Sequence, residues 1–336
     1  MSTDIKTHMA VVTLGVGDYS QLSYKPVPTP LDMDPGRELI KVLSCGLNNT
    51  DLNTRVGWYS KDADNPTGYG GEKPSPFPLI QGTDGFGITS GGQRVLVRSS
   101  TPRGWYGSDF SGFFQQYCEV DSRDVFPVPD GCKLSEAQLG TIPCIYGTAE
   151  NMLLRASVRE GDRVIVPGAS GGVAGAVIEL CLARGCNVVG MTSNEVKAKN
   201  LRERFGTSVS VRIVTSLPTD EKFTCAIDNV GGAGASLLIE ALEEGGRYVT
   251  SGAIAGHEVK VDMRTVYLKV LTIFGSTRWN DDVMHNLIRY LGEGKLNPVV
   301  GRTFKLGEIV EAQKCFEQRK VAGKIVLLPW EGEGGV

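Results

Sequence analysis

The chain contains two regions that differ in the periodicity of their hydrophobic and polar residues. Up to about Pro129, short runs rich in β-branched residues, such as 38–43 and 94–98, alternate with turn residues and predict strands. Residues 1–30 form two extended segments, with the proline-rich stretch 25–30 crossing between them. From Ser135 the pattern changes to helical spacing that alternates with buried strands, which is typical of α/β units.

The clearest local pattern lies at residues 162–197. Residues 163–166 form a β-branched run that Pro167 and Gly168 end, and apolar residues then recur at helical spacing up to Leu182. The later pattern predicts strands at 187–191, 225–228, 247–251 and 271–275, a helix at 281–291, a strand near 303–306, a helix near 308–318 and a strand at 324–328. This order predicts an α/β core inserted within a mostly β domain.

Glycines open the first helix of this core. Gly171, Gly172 and Gly175 fall where that helix must begin. A glycine turn that opens a helix between parallel strands lets the backbone approach a pyrophosphate, and the helix-start N–H groups then face its charge. Ala174 stands where the dinucleotide fingerprint has its third glycine, a position that accepts alanine. Such a turn also occurs as plain structure, so the flanking residues decide, and we expect a dinucleotide cofactor.

The residues after the second strand predict which dinucleotide binds. An NAD site carries an Asp or Glu about 20 residues past the glycines, where it binds the ribose 2′-hydroxyl. The polar residues Thr192, Ser193 and Asn194 stand there in this chain, and the cations Lys197, Lys199 and Arg202 follow them. They suit a 2′-phosphate, although Glu195 lies among them. The sequence therefore favours NADPH over NADH, and the alternative is that these cations form only a solvated helix face.

Residues 57–78 have no hydrophobic periodicity and are rich in Gly, Pro and Asp. Structureless segments of this length are usually functional or mobile. The segment is either a lid that closes over substrate or a surface loop.

Composition narrows the function classes. The chain has 336 residues, of which 41% are hydrophobic and 22% charged, and its net charge is −3, so it has no general attraction to nucleic acid or an anionic membrane. No apolar run has the length of a bilayer span, and the N-terminal segment lacks a signal-peptide core, so we expect a cytoplasmic protein. The eight cysteines include no C-x-x-C pair and are expected to be free thiols.

Besides the glycine turn, the chain carries the short motifs Gly46-Leu-Asn48-Asn-Thr-Asp51, Gly82-Thr-Asp-Gly85, Ile142-Pro-Cys144-Ile-Tyr-Gly-Thr148-Ala149, Ile227-Asp228-Asn-Val-Gly-Gly232, Gly245-Gly-Arg-Tyr-Val-Thr-Ser-Gly252, Gly275-Ser276 and Gly323-Lys-Ile-Val-Leu327. In this order and spacing, the set resembles the medium-chain dehydrogenase/reductase superfamily, in its zinc-free quinone oxidoreductase-like branch. The resemblance implies a Rossmann doubly wound parallel sheet at 139–276. It also implies a GroES-like, mostly β catalytic domain from 1–138 and 277–336, with the active site in the cleft between the domains.

The resemblance also implies which residues contact the cofactor. They are Thr148, Ser170, Gly171, Gly172, Val173, Thr192, Ser193, Asn194, Lys197, Asn229, Gly252, Ala253, Gly275 and Ser276. Most of them follow strands of the Rossmann sheet, at whose carboxyl ends cofactor contacts collect.

Zinc is not expected. In zinc-dependent members of the superfamily the position of Asn48 carries a cysteine, and the position of Thr83 carries a histidine. Only Cys144 matches a ligand position, whereas catalytic zinc needs about three protein ligands. The three histidines lie outside these motifs, so no other metal site is expected either.

Without a metal to polarise a carbonyl, the easier chemistry is conjugate reduction, in which charge builds on an enolate oxygen that hydrogen-bond donors stabilise. Tyr59 matches a tyrosine of related enoyl reductases and is the candidate proton donor; its other possible role is packing against Trp58. Asn48 is expected near the nicotinamide, where it either binds the substrate oxygen or is a buried turn residue. An aromatic segment at 105–114 either lines a hydrophobic substrate pocket or belongs to the core.

We expect an NADPH-dependent reductase of an enone, enal or quinone that acts on a hydrophobic small molecule and forms a homodimer. Two different functions stay open. One is a pathway-specific reductase of a bound or cyclic C=C or C=N intermediate, and the second is a non-catalytic NADPH-binding protein. The absence of a basic, aromatic-interleaved patch argues against a nucleic-acid partner.

Overall fold

The computed structural model describes residues 6–60, 76–213 and 221–330. The chain divides into two compact units, the first formed by residues 1–147 and 291–336 and the second by residues 148–290. The domain boundaries expected after residues 138 and 276 stay a prediction.

The described ranges contain these strands in chain order: β1 Thr7–Thr13, β2 Leu22–Pro28, β3 Arg37–Gly46, β4 Leu79–Ile80, β5 Gly85–Ile88, β6 Arg94–Val97, β7 Ser100–Thr101, β8 Gly104–Trp105, β9 Tyr117–Asp121, β10 Val125–Pro127, β11 Arg163–Val166, β12 Asn187–Thr192, β13 Val209–Ile213, β14 Phe223–Asp228, β15 Leu242–Thr250, β16 Thr272–Gly275, β17 Val300–Lys305 and β18 Lys324–Leu328. The helices are α1 Asn49–Arg55, α2 Glu136–Leu139, α3 Ile142–Arg155, α4 Gly172–Ala183, α5 Glu195–Phe205, α6 Gly234–Glu240, α7 Met263–Leu268, α8 Asp282–Gly292 and α9 Ile309–Glu317.

The first unit is built around β3. This strand pairs antiparallel with β9 over residues 37–41, with β5 over residues 41–44, and with β18 at its last two residues. Ile40 and Val42 alternate into the core, where they pack with side chains such as Phe113 and Leu327. Because β3 ends beside β18, it delivers the turn at Asn48 next to the start of β18.

The second unit is a six-stranded parallel sheet in the order β13-β12-β11-β14-β15-β16. This is the doubly wound order of a Rossmann sheet, in which the chain adds three strands in one direction and then returns to place β14 on the other side of β11. Ile165 and Ala226 on the inner strands pack with Leu238 and Leu242 in its core. A mostly β unit from both parts of the chain and a Rossmann unit between them in sequence confirm the predicted fold class.

A buried carboxylate joins three helices of the second unit. Glu150 on α3 is fully buried and accepts hydrogen bonds of 2.6 and 2.7 Å from the Arg184 guanidinium, at the end of α4. Asn286 on α8 donates a third bond of 2.8 Å. These bonds compensate the cost of burying the charge.

The predicted elements at 163–166 and 324–328 are confirmed as β11 and β18 with the same bounds. Two predictions were wrong. Residues 25–28 belong to β2, and Pro26 and Pro28 are tolerated there because β2 is an edge strand. β16 was expected to be buried, but most of it is exposed because it is the last strand of its sheet.

Across residues 6–60, 76–213 and 221–330, the structure contains no helix of the length and apolar character that a membrane span requires.

Candidate active site and cofactor site

The side chain of Asn48 lies at the centre of a buried polar cluster in the first unit. Asn48 precedes α1 and is 6% exposed. Its Nδ2 donates to Asp84 Oδ2 at 2.8 Å, to Thr83 Oγ1 at 3.0 Å and to the carbonyl of Gly46 at 3.1 Å. This geometry favours the role of a buried turn residue, and the expected contact of Asn48 with substrate stays a prediction.

A buried lysine completes this cluster. Lys324, the first residue of β18, donates from Nζ to Asn48 Oδ1 and to the carbonyl of Leu47, both at 2.6 Å. The same ammonium lies 3.4 Å from Asp84 Oδ2, and the two side chains are 7% and 0% exposed. Burial raises the pKa of Asp84, against the opposing effects of Lys324 and of the Cys144 N–H that donates to Asp84 Oδ1 at 2.6 Å. Lys324 and Asp84 thus form a buried ion pair, and both side chains have further hydrogen-bond partners.

Asp51 is a second buried carboxylate, on the first turn of α1. Its Oδ2 accepts the N–H of Asn48 at 2.8 Å and thereby caps the start of the helix. Its Oδ1 is buried and accepts no hydrogen bond from the residues that the structure describes. Burial raises the pKa of Asp51 from 3.8 to about 7, although the Asn48 N–H and the Lys324 charge oppose this rise.

Tyr59 lies beside the same helix. Its hydroxyl accepts a hydrogen bond from Asn53 Nδ2 at 3.3 Å. Burial raises the pKa of Tyr59 to about 12, and the proximity of Cys144 and Asp51 adds to this effect. The ring of Tyr59 also packs edge-to-face on Trp58 at a centroid distance of 5.2 Å. Both expected roles are thus compatible with its position.

The three positions that carry zinc ligands in zinc-dependent relatives converge in this cluster. Thr83 Oγ1 accepts a hydrogen bond from Asn48, and the N–H of Cys144 donates to Asp84, which also bonds to Asn48. Zinc does not fit these side chains. The Asn48 amide nitrogen is a donor, its oxygen already accepts from Lys324, and burial raises the pKa of Cys144 to about 12, whereas a zinc ligand must be a thiolate. Within the described ranges, no group of three or more His, Cys, Asp or Glu side chains is placed to hold a metal ion.

The glycine turn of the second unit has the features of a phosphate site. Gly171 is the N-cap of α4 and has extended backbone angles, and no side chain caps the helix. Ser170, Gly171 and Gly172 are exposed, and Val173 is half-buried. The first N–H groups of a twelve-residue helix therefore face solvent, where a phosphate can accept from them. A dinucleotide fits this turn.

Polar side chains gather where β12 ends. Lys197 Nζ lies 3.3 Å from Ser193 Oγ, and both atoms are near the surface. Asn194 instead caps α5, because its Oδ1 accepts the N–H of Lys197 at 3.0 Å. The hydroxyl of Thr192 is buried and has no partner among the described residues.

The negative charge of the nearby Glu195, which would repel a phosphate, is paired with a cation. Its Oε1 lies 2.5 Å from the Arg202 guanidinium, two turns further along α5. Lys199 faces Glu203 at 3.8 Å. Lys199 and Arg202 therefore belong to a solvated helix face, while Lys197 faces the end of β12.

The remaining predicted cofactor residues lie at the carboxyl ends of the strands or on α3. Asn229 follows β14, Gly252 and Ala253 follow β15, Gly275 ends β16, and Thr148 lies on α3. Ser276 is buried, and its Oγ accepts a hydrogen bond from Asn151 Nδ2 at 2.8 Å. Their contacts with a cofactor stay predictions.

Sequence reasoning did not single out Lys324, Asp84 and Asn151. Lys324 and Asp84 stood within recognised motifs, but nothing in the sequence showed that the two motifs meet. Asn151 lies on α3 and also accepts the N–H of Asn280 at 2.9 Å, so it holds the chain after β16. Its signal was only a buried polar residue on an apolar helix.

The aromatic segment at 105–114 contributes mainly to the core of the first unit. Tyr106, Phe113 and Phe114 are all buried there, which favours the core over a substrate pocket. Most of the segment 57–78 lies outside the described residues, so the lid stays a prediction.

We predict that Asp51 makes the protein less stable as pH rises. The pKa of Asp51 is about 7 in the folded protein and 3.8 when the side chain is unperturbed, as in the unfolded chain. Its contribution to the free energy of unfolding is therefore complete below pH 3.8 and is lost as the pH rises to about 7. Asp51→Asn keeps the cap acceptor and removes the charge. Its melting temperature relative to the wild type should therefore be higher at about pH 8 than at about pH 5.

Asp262→Asn is the matched control, because Asp262 also caps a helix but its pKa is lowered by Arg264 to about 2. Its effect should not change over the same pH interval, since Asp262 is ionised at both pH values. A pH-independent effect of Asp51→Asn would contradict the assignment.

Comparisons with known proteins agree with this architecture. Residues 206–327 match a family model described as zinc-binding dehydrogenase. The chain is 27% identical over 320 residues to acryloyl-coenzyme A reductase of Metallosphaera sedula, covering 87% of this chain and 92% of that protein. It is 26% identical over 325 residues to human quinone oxidoreductase, covering 90% and 91%.

A solved structure from Sinorhizobium meliloti 1021, provisionally named an alcohol dehydrogenase, is 32% identical and superposes with a TM-score of 0.86. The match covers 96% of this chain and 97% of that one. Similarity along nearly the whole length, together with the two units described above, identifies the family. The chain belongs to the medium-chain dehydrogenase/reductase superfamily, in its quinone oxidoreductase-like branch.

Proposed function

We propose that this protein is a zinc-independent, NADPH-dependent oxidoreductase that reduces an activated carbon–carbon double bond or a quinone. The observation that carries the proposal is the buried ammonium of Lys324, hydrogen-bonded to Asn48 at a position where zinc-dependent relatives have a metal ligand. The names of the relatives, an acryloyl-coenzyme A reductase and a quinone oxidoreductase, support the substrate class. Both substrates place a carbonyl oxygen in conjugation with the carbon that accepts hydride.

Zinc independence is supported by charge as well as by ligand chemistry. A dication at this position would lie beside the Lys324 ammonium, which already neutralises Asp84. To admit zinc, Lys324 would have to leave and Asn48 would have to turn its amide. Reduction of a conjugated carbonyl does not need this rearrangement, because hydrogen-bond donors can stabilise an enolate.

The preference for NADPH is supported by the end of β12. Lys197 and Ser193 offer an ammonium and a hydroxyl together, and Arg202 pairs with the carboxylate of Glu195. A 2′-phosphate has several acceptor oxygens and suits such a pair. When bound, the reduced nicotinamide supplies the hydride.

The reduction also consumes a proton, for which Tyr59 is the proposed donor. With a pKa of about 12 its phenol is protonated at neutral pH, so it can donate directly or through a water molecule. The hydrogen bond from Asn53 orients the hydroxyl and stabilises the phenolate that donation leaves. The cluster of Asn48, Asp84 and Lys324 is proposed to hold the start of α1, and thereby Tyr59, in place.

The first test is NADPH oxidation by metal-stripped protein with enones, enals, enoyl thioesters, quinones and imines as substrates. Turnover with a conjugated carbonyl or a quinone, undiminished by chelator, is expected. Turnover that depends on added zinc would contradict the proposal. Turnover with imines alone would favour a C=N reductase, and tight NADPH binding without any turnover would favour a non-catalytic NADPH-binding protein.

In the same assay Lys197→Met tests the cofactor preference. Loss of a charge-assisted contact to a phosphate should raise the KM for NADPH by about tenfold and leave the KM for NADH unchanged. Lys199→Met is the matched control on the same helix, because Lys199 faces Glu203. Equal effects of Lys197→Met on both cofactors would contradict a 2′-phosphate contact.

We predict that Tyr59→Phe lowers kcat by about a hundredfold and leaves NADPH affinity unchanged, because a positioned acid contributes to proton transfer but not to cofactor binding. Steady-state kinetics and a fluorescence titration with NADPH measure the two effects. Tyr117→Phe, on β9, is the control. An unchanged kcat in Tyr59→Phe would restrict Tyr59 to packing.

A homodimer through β16 is also proposed. β16 is an edge strand with Ile273 half exposed, and the adjoining α7 and its end expose Met263, Tyr267, Leu268 and Val270 by more than 60%. An apolar edge strand is a template for pairing, and a second copy related by a two-fold axis presents the same strand. Pairing would continue the sheet across both chains.

We predict that Ile273→Lys converts the dimer to a monomer, because a charge then lies in the pairing edge. Light scattering after size exclusion gives the mass. Val196→Lys is the control, since Val196 is an exposed apolar residue on α5, away from β16. A monomeric wild type, or a dimer unaffected by Ile273→Lys, would contradict this interface.

A further inference from the structure

The C-terminal end of α4 forms a Schellman motif. Gly185 has the left-handed φ of +77° that the motif requires, and its N–H donates to the carbonyl of Leu182 at 3.0 Å. The N–H of Cys186 donates to the carbonyl of Cys181, also at 3.0 Å. In a Schellman motif, the side chains of the two residues that share this second backbone bond usually make an apolar contact.

Here both of those positions are cysteines, joined by the 3.0 Å backbone bond. The proximity of the two thiols raises the pKa of Cys181 and lowers the pKa of Cys186. A thiol with a lowered pKa is more often the reactive thiolate, and a protonated neighbour stabilises that thiolate. The motif therefore assigns different roles to its two cysteines.

The surroundings of Cys186 contain charges of both signs. The neighbouring Cys181 thiol has the largest effect on the pKa of Cys186 and lowers it. The Arg184 and Arg247 guanidinium groups also favour the Cys186 thiolate, while Asp162 and burial oppose it. The Arg159 carbonyl, 3.2 Å from Cys186 Sγ, accepts from the thiol form. Cys186 is 7% exposed and Cys181 is fully buried, so a small oxidant meets Cys186 first.

We propose that Cys181 and Cys186 are a redox-active dithiol that hydroperoxides convert to an intramolecular disulfide. The Cys186 thiolate attacks the peroxide O–O bond, which breaks to give a sulfenic acid and, after protonation, water or an alcohol. The Cys181 thiol then attacks the sulfenic sulfur, an S–S bond forms, and water leaves. Two thiols are oxidised by two electrons, and one hydroperoxide is reduced.

This dithiol is separate from the sites described above. It lies at the end of α4 opposite to Gly171, about 18 Å along the helix axis at 1.5 Å per residue. The charged groups that act on Cys186 all belong to the second unit. The inference is therefore independent of the proposed reductase activity.

The sequence provides a direct test, because trypsin cleaves after Arg184 and separates the two cysteines. The protein is used with Cys132→Ser and Cys315→Ser, which remove the two cysteines that are more exposed. After hydrogen peroxide treatment, the protein is unfolded at mildly acidic pH in the presence of excess N-ethylmaleimide, which blocks all free thiols before digestion and mass spectrometry. We expect peptides 164–184 and 185–197 as one disulfide-linked species that a reductant separates.

Cys225 is the internal control, because its thiol is buried near both cysteines and burial raises its pKa to about 12. Without peroxide, Cys186 should react with N-ethylmaleimide at least about tenfold faster than Cys225 in the folded protein. In Cys181→Ala, and equally in Cys181→Ser, dimedone should trap a sulfenic acid on Cys186.

Three results would overturn the proposal. They are separately alkylated peptides after peroxide treatment, a sulfinic acid on Cys186 without linkage, and linkage of peptide 185–197 to the Cys225 peptide 223–247. The linkage is read from the folded protein that retains Cys181 and Cys186, so the result does not depend on how the Cys181 variants fold.

Discussion

The ammonium of Lys324 lies among three oxygen atoms, the carbonyl of Leu47, Oδ1 of Asn48 and Oδ2 of Asp84. It links the first strand residue of β18 to the end of β3, and through Asp84 to the backbone of Cys144. Removing one partner of a buried ion pair typically costs about 3–5 kcal/mol, because the remaining charge is then uncompensated. Through Asn48, the residue before α1, this contact reaches the helix that carries Asp51.

The same contact explains why the site differs chemically from that of a zinc enzyme. A metal site needs deprotonated or lone-pair donors that point inward, whereas this cluster has an amide donor, a hydroxyl and a protonated thiol around an internal cation. The positive charge in this cluster is therefore that of a side chain, Lys324, and not that of a metal ion. The charge of the neighbouring Asp51, whose pKa is about 7, changes near neutral pH.

In the second unit the parallel sheet positions the candidate cofactor-binding residues. Its order brings the ends of β11, β12, β14, β15 and β16 to one edge, where the uncapped start of α4 also lies. Backbone N–H groups thus face outward at Gly171, and the hydroxyl and ammonium of Ser193 and Lys197 follow the next strand. The opposite end of α4 carries the two thiols, because the Schellman turn that stops the helix also brings Cys181 to Cys186.

The fold class, the glycine turn and most strands could be predicted from the amino-acid sequence alone. Hydrophobic periodicity and glycine positions are local properties of the chain, so they can be read without knowing the tertiary contacts. β11 and β18 were even predicted with the bounds observed. The sequence could not determine that Lys324 meets Asp84, that β16 is an exposed edge, or that burial raises the pKa of Asp51 to about 7. Those are decided by which segments the tertiary fold brings together and removes from water, since an ion pair between residues so far apart in the chain has no local signature.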